Sequence, residues 1–181
     1  INETVADFGH VDGVANLVGS LILKPAHTTS AEDWQEVIAV NLTSAFAVLR
    51  AAAKVMSRAE QGGAVVLVSS AAARTGLANH DAISAAKAGV IGLTLSAAAT
   101  YGPRGVRINA VAPGLVQTPM TERIWSSAAS LAASVGMHAL GKIGQPDDVA
   151  AAIYFLLDPT NDWITGQVLG VDGGLGTVRA R

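Results

Sequence analysis

The chain of 181 residues has no cysteine. That excludes a disulfide framework, a thiol nucleophile and thiolate metal ligation, and it fits a cytoplasmic protein, which is the expected setting. Aromatic residues are scarce at 4%, and charged residues reach only 14%. Half of the residues are nevertheless hydrophobic. The core must therefore come from Ala, Val and Leu, with 19 glycines as punctuation. A chain this apolar is not intrinsically disordered. No charge sign predominates: 12 Lys plus Arg oppose 14 Asp plus Glu, for a net charge of -2, and no basic run occurs. Nucleic acid and anionic membrane are thus not expected partners. The four histidines are dispersed, without a His-x3-His pair or a surrounding carboxylate cluster, so no metal site is expected. The longest uncharged stretch, residues 124–141, carries Ser126, Ser127, Ser130, Ser134 and His138. It is a poor bilayer span and reads as a mobile, weakly polar surface helix. The opening Ile1-Asn2-Glu3-Thr4 has no basic n-region, so no signal peptide is expected. An opening without Met suggests that something upstream is missing.

What is present alternates. Residues 11–19 and 64–69 are short apolar runs bounded by glycine or serine and read as buried strands. Between them, Ser30 followed by Asp33 resembles a capping box. A long helical pattern follows it, residues 31–60, which stops at Gln61-Gly62-Gly63. A second long helix is expected over residues 81–101, ended by Gly102-Pro103. A strand over 106–111, a helix over 146–157 with Pro at its first turn, and a last strand over 168–171 complete the pattern. Strands alternating with helices, and strands without polar alternation, indicate an α/β domain with a parallel sheet. Length and the absence of a linker indicate a single unit over residues 1–181.

Two motifs fail on context. The run Gly136-x4-Gly141-Lys142 resembles a phosphate-binding loop, but Ile143 has no hydroxyl for Mg²⁺ and no buried strand precedes it. The pair Gly174 and Gly176 has no following helix to hold a pyrophosphate. The informative constellation is Ser69-Ser70 at a strand end, with Lys87 in the next helix. Strand ends are where ligands bind in parallel α/β sheets. By spacing, His80, Ile83 and Lys87 share one helical stripe. Taken alone, Ser70 and Lys87 read rather as a capping serine and a surface lysine.

The order of motifs along the whole chain decides between these. Asp12-Gly13-Val14-Ala15-Asn16-Leu17-Val18-Gly19, Val40-Asn41-Leu42, Ser70, Ser84-Ala85-Ala86-Lys87-Ala88-Gly89, Arg107 through Pro113-Gly114, and Thr118 follow one another in sequence. Gly144 to Ala150 and Thr165 to Gly174 continue the series. The chain resembles the short-chain dehydrogenase/reductase family of NAD(P)-dependent oxidoreductases. The resemblance implies part of a Rossmann-type doubly wound parallel sheet, the family's strands four to seven with their helices. It implies Asn41, Ser70 and Lys87 as catalytic positions, and Asn16, Gly19, Lys87, Pro113, Gly114 and Thr118 on the cofactor side. The implied cofactor is NAD or NADP, and the implied substrate is a small alcohol or carbonyl compound. A homodimer or homotetramer is implied, built through the two long helices. The uncharged stretch corresponds to a substrate lid, in which Trp125, Leu131, Val135 and Met137 either line an apolar pocket or pack on the body.

Two departures set further expectations. Position 83, where the family carries its proton-transferring tyrosine, is Ile83. Isoleucine cannot exchange a proton, so His80 is a candidate donor in its place, and a catalytically silent binding subunit is the alternative reading. No Gly-rich turn precedes Val11, so the chain is expected to be the C-terminal portion of the family's domain. The apolar segment 11–18 is then expected to lie at a sheet edge.

Overall fold

The structure, a computed structural model, describes residues 1–178. In chain order it contains α1 (Asn2–Phe8), β1 (Gly13–Asn16), α2 (Ala31–Ile38), a π-helical turn (Ala39–Thr43) and α3 (Ser44–Met56). There follow β2 (Gly63–Val68), α4 (Asp81–Tyr101), β3 (Val106–Pro113), α5 (Glu122–Trp125), α6 (Ala128–Met137), α7 (Pro146–Leu157) and β4 (Val168–Val171). The strands form one four-stranded sheet in the order β1-β2-β3-β4, every pair parallel. The expected α/β architecture is thus present.

Side chains of a strand alternate between the two faces of its sheet, and here both faces are covered. Val65 and Leu67 of β2, with Val106, Ile108 and Ala110 of β3, enter a core against Leu49, Ala52 and Met56 of α3 and Val90, Ala97 and Ala98 of α4. Val66 and Val111 face the other way, against Ile153 and Leu156 of α7. Unbroken apolar strands are what such double burial requires. The segments Ala31–Met56 and Asp81–Arg104 are long and apolar enough to cross a membrane. In the fold, each instead supplies one face of a protein core.

Several boundaries differ from the sequence pattern. The first strand is Gly13–Asn16 rather than residues 11–19, because the Asn16 side chain accepts the Val18 amide at 3.3 Å and turns the chain. Leu17 and Val18 are exposed beyond that turn, and β1 lies at the edge of the described sheet. The helix expected to reach residue 60 ends at Met56, and a tight turn follows. Gly62 adopts φ +68°, and a Cβ there would lie 2.1 Å from the Gly105 carbonyl oxygen. Only glycine fits that left-handed, crowded position. The uncharged stretch forms two helices, α5 and α6, rather than one, and α6 starts on a cap in which Ser127 accepts the Ser130 amide. The N-terminal helix α1 had no signal in the apolar pattern, since none of its residues is buried.

Two polar residues on β3 brace the face that α7 covers. The Arg107 guanidinium donates to the carbonyls of Leu156 at 2.8 Å, Leu157 at 3.3 Å and Asp158 at 3.1 Å, closing the C-terminal end of α7. Those carbonyls have no partner within the helix. Asn109, fully buried, donates to the Ile164 carbonyl and accepts the Gln167 amide, and so fixes the approach to β4. In a denaturant titration, Arg107→Ala should lower the unfolding free energy by about 2–4 kcal/mol, the loss of several charge-assisted hydrogen bonds. Arg107→Lys should recover only part of this, since an ammonium cannot fork across separate carbonyls.

Candidate active site

Parallel strands direct their carboxyl ends to one edge of the sheet, where ligands bind in such folds. At that edge β1 ends at Asn16, β2 runs into Ser69-Ser70 and β3 into Gly114-Leu115. Lys87 comes from α4, which packs along this part of the sheet. Its Nζ donates to the Val68 carbonyl at 2.9 Å. Its own backbone carbonyl accepts the buried Ser69 hydroxyl at 2.8 Å. The lysine is thus held to the end of β2 at both its backbone and its tip. It is only 7% exposed. Burial alone pulls its ammonium from the ordinary 10.5 down to about 8, because a charge loses its hydration there.

Asn41 reaches the same place through the π-turn. Ser44 donates its amide to Ala39 five residues back, and its hydroxyl takes up the Val40 carbonyl. Such single-turn bulges frequently occur at functional sites. The Asn41 amide donates to the Val37 carbonyl and to the Ser20 hydroxyl, and its oxygen accepts the Ser20 amide. Gly19 lies between the two groups: a Cβ built there would stand 3.3 Å from Asn41 Oδ1 and 3.7 Å from Lys87 Nζ. The structure therefore brings Gly19, Asn41, Lys87 and the end of β2 into one cluster.

Ser70, half-buried, adjoins this cluster in sequence. Its oxygen accepts the Ala72 amide at 3.1 Å and caps a short 3₁₀ turn, and its hydroxyl hydrogen has no acceptor among the described residues. Asn16 is buried at the end of β1. His80 occupies the N-cap of α4, with Nδ1 2.7 Å from the Ala78 carbonyl. It stands outside the helix, so the expected stripe begins at Ile83. Ile83 is 3% exposed and packs with Val37, Ala82 and Ala86, beside Leu21, Ile22 and Leu42.

The remaining expected positions sit along the loop after β3. Thr118 closes a turn with Thr121, and its carbonyl accepts the Trp125 indole at 2.9 Å. Leu131 and Val135 of α6 are half-buried, and Met137 is largely exposed. Pro113-Gly114 is set by a residue the motifs did not single out, His138. This buried ring donates from Nδ1 to the Ser134 carbonyl and accepts the Leu115 amide at Nε2. A Cβ on Gly114 would lie 2.6 Å from His138 Nε2 and 3.0 Å from the Asp172 backbone. Glycine is thus required where α6, β3 and the end of β4 converge. The segment expected to be mobile is tethered at this point. Nothing in the sequence marked His138 apart from its place in an uncharged run.

A parallel sheet covered on both faces, with its polar cluster at the carboxyl edge, is a Rossmann-like α/β architecture. A family model described as enoyl-(acyl carrier protein) reductase matches residues 1–176, and the chain belongs to the short-chain dehydrogenase/reductase family. It is 36% identical to the short-chain dehydrogenase/reductase aba4 of Botryotinia fuckeliana, over 96% of this chain and 69% of that protein. With the 3-oxoacyl-[acyl-carrier-protein] reductase FabG of Thermotoga maritima it shares 37% identity, over 97% of this chain and 70% of that one. Among solved structures, ElxO with NADP bound superposes with a TM-score of 0.90 at 34% identity, covering 96% of this chain and 71% of ElxO.

The burial of Lys87 gives a signed prediction. Its folded value, about 8, lies below the ordinary 10.5, so between these the unfolded chain binds a proton that the folded chain does not. Stability should rise with pH across that window, with the cost fully present below it. At roughly 1.4 kcal/mol per unit, the rise is on the order of 3 kcal/mol. Unfolding curves of the parent and of Lys87→Met should converge or cross between about pH 8 and pH 10. Curves that stay parallel would exclude a buried ammonium.

Proposed function

We propose that this protein is an NAD(P)-dependent oxidoreductase that transfers hydride between an alcohol and a carbonyl compound. The observation that carries the reading is the convergence of Gly19, Asn41 and Lys87 at the carboxyl edge of the sheet, at the end of the strand that leads into Ser70. Relatives bear names of the same chemistry, including the D-threitol dehydrogenase of Mycolicibacterium smegmatis and the cyclopentanol dehydrogenase of a Comamonas strain.

The residues present fit a nicotinamide nucleotide on one point of geometry. The absent side chain at Gly19 leaves room beside Lys87 Nζ that a Cβ would fill. Lys87 has N–H groups beyond the one given to Val68 and would hold the ribose hydroxyls. Asn16, Gly19, Pro113, Gly114 and Thr118 form the remaining cofactor side. When bound, the nicotinamide supplies or accepts the hydride. Ser70 donates its free hydroxyl hydrogen to the substrate oxygen, and Asn41 orders the polar groups beside Lys87. Either NAD or NADP is compatible with these residues.

One observation favours a second reading. Ile83 is closed into an apolar cluster and cannot exchange a proton, which suits a catalytically silent subunit that binds rather than reacts. A nicotinamide absorbance assay with a panel of ketones and alcohols separates the two. The oxidoreductase reading expects carbonyl-dependent oxidation of NADH or NADPH, reduced roughly 100-fold by Ser70→Ala. A folded protein that shows no turnover on the panel favours the silent subunit.

We further propose self-association through the long helices. The outer side of α4 presents Ala85, Ala88, Gly92, Leu95 and Ala99 without a charge, and Phe46 of α3 is 52% exposed. Leu95→Glu should shift the protein towards monomer in sedimentation velocity.

A further inference from the structure

Lys87 is set apart from the chain's other lysines, Lys24, Lys54 and Lys142, by its surroundings. It is the only one of the four that is buried. No carboxylate accompanies it: the ion pairs among the described residues are His10 with Asp12 and Lys24 with Asp33. Its hydrogen-bond acceptor is one backbone carbonyl, that of Val68. One turn earlier on α4, Ile83 continues an apolar wall that includes Leu21 and Leu42, which neighbour Ser20 and Asn41 in sequence. Nothing here compensates a positive charge, and burial moves the ammonium down to about 8. A neutral amine that gives one hydrogen to Val68 keeps its lone pair free.

Two further features bear on this amine. Gly19, half-exposed, lies against Nζ without a side chain: a Cβ there would stand 3.7 Å from it. Ser70, two residues beyond the Val68 carbonyl, holds a hydroxyl hydrogen without a partner among the described residues. A desolvated lysine in an apolar pocket is a recognised nucleophile towards carbonyl carbon.

We propose that Lys87 captures small uncharged aldehydes and ketones as a Schiff base, an activity of this chain that requires no nicotinamide. The amine nitrogen bonds to the carbonyl carbon and the carbonyl oxygen leaves as water. Both hydrogens of that water come from the amine, through a carbinolamine, so no oxidant or reductant is consumed. The apolar wall of Leu21, Leu42 and Ile83 selects short, uncharged carbonyl compounds. The proposal uses the same lysine as the hydride reading but stands apart from it, since capture succeeds or fails with no cofactor present.

The test is reductive trapping of the whole chain with propanal and cyanoborohydride at pH 7, read by peptide mass mapping. At that pH the free-amine fraction at Lys87 exceeds that of an ordinary lysine by on the order of 100-fold. Allowing for restricted access, Lys87 should be propylated at least tenfold faster than Lys24, Lys54 and Lys142. The advantage should disappear in denaturant, and Lys87→Met should lose that label alone. Labelling of Lys87 no faster than that of the other lysines in the folded parent overturns the proposal, whatever the nicotinamide assay shows.

Discussion

The attachment of α4 to the end of β2 is the constraint on which the site depends. Ser69 holds the backbone of Lys87 by its carbonyl, and the side chain of Lys87 returns to the carbonyl of Val68. The two bonds run in opposite directions between the same elements, so the helix cannot slide along the strand without breaking both. An ammonium kept in this clasp is removed from water with no counter-ion, and the surrounding core has to offset that loss. The core on that face of the sheet is extensive, and it joins α3, α4, β2 and β3. A functional group placed at an energetic disadvantage and held by well-packed neighbours is typical of sites built for chemistry.

The other polar clusters serve to place the elements around that clasp. Arg107 and Asn109 gather the end of α7 and the approach to β4 against β3. His138 and Gly114 fasten α6 to the loop that follows β3. Gly89 allows close contact on the helical side, since a Cβ there would come within 2.7 Å of Leu42. The first two sets of contacts brace β3 or the loop that follows it, and the third joins α4 to the π-helical turn. The carboxyl edge of the sheet is consequently defined by several elements distant in sequence, although its central residues are few.

Ile83, where the resemblance leads one to expect a tyrosine, packs with Val37, Ala82 and Ala86 between α2 and α4. A hydrocarbon at that place carries no exchangeable proton, and burial of the kind found at Lys87 favours the neutral form of a lysine. The proposed readings of the site thus turn on one physical effect, desolvation.

Much of the architecture was legible in the amino-acid pattern because it rests on local rules. Apolar runs without alternation signalled buried parallel strands, Ser30 with Asp33 marked a helix start that does form a capping box, and the order of motifs indicated the family. Asn41, Ser70 and Lys87 were legible as candidates for the same reason. Hidden were the features that arise from contacts between distant segments: the early end of β1 at Asn16, the π-turn that turns Asn41 towards Ser20, and the tether at His138. Composition and periodicity determined that this chain makes a parallel α/β sheet and carries a lysine near a strand end. Whether that lysine meets water or is enclosed depended on which side chains from α2, α4 and the Gly19 turn close around it. Burial, unlike periodicity, is a property of the assembled fold, and only the tertiary structure decided it.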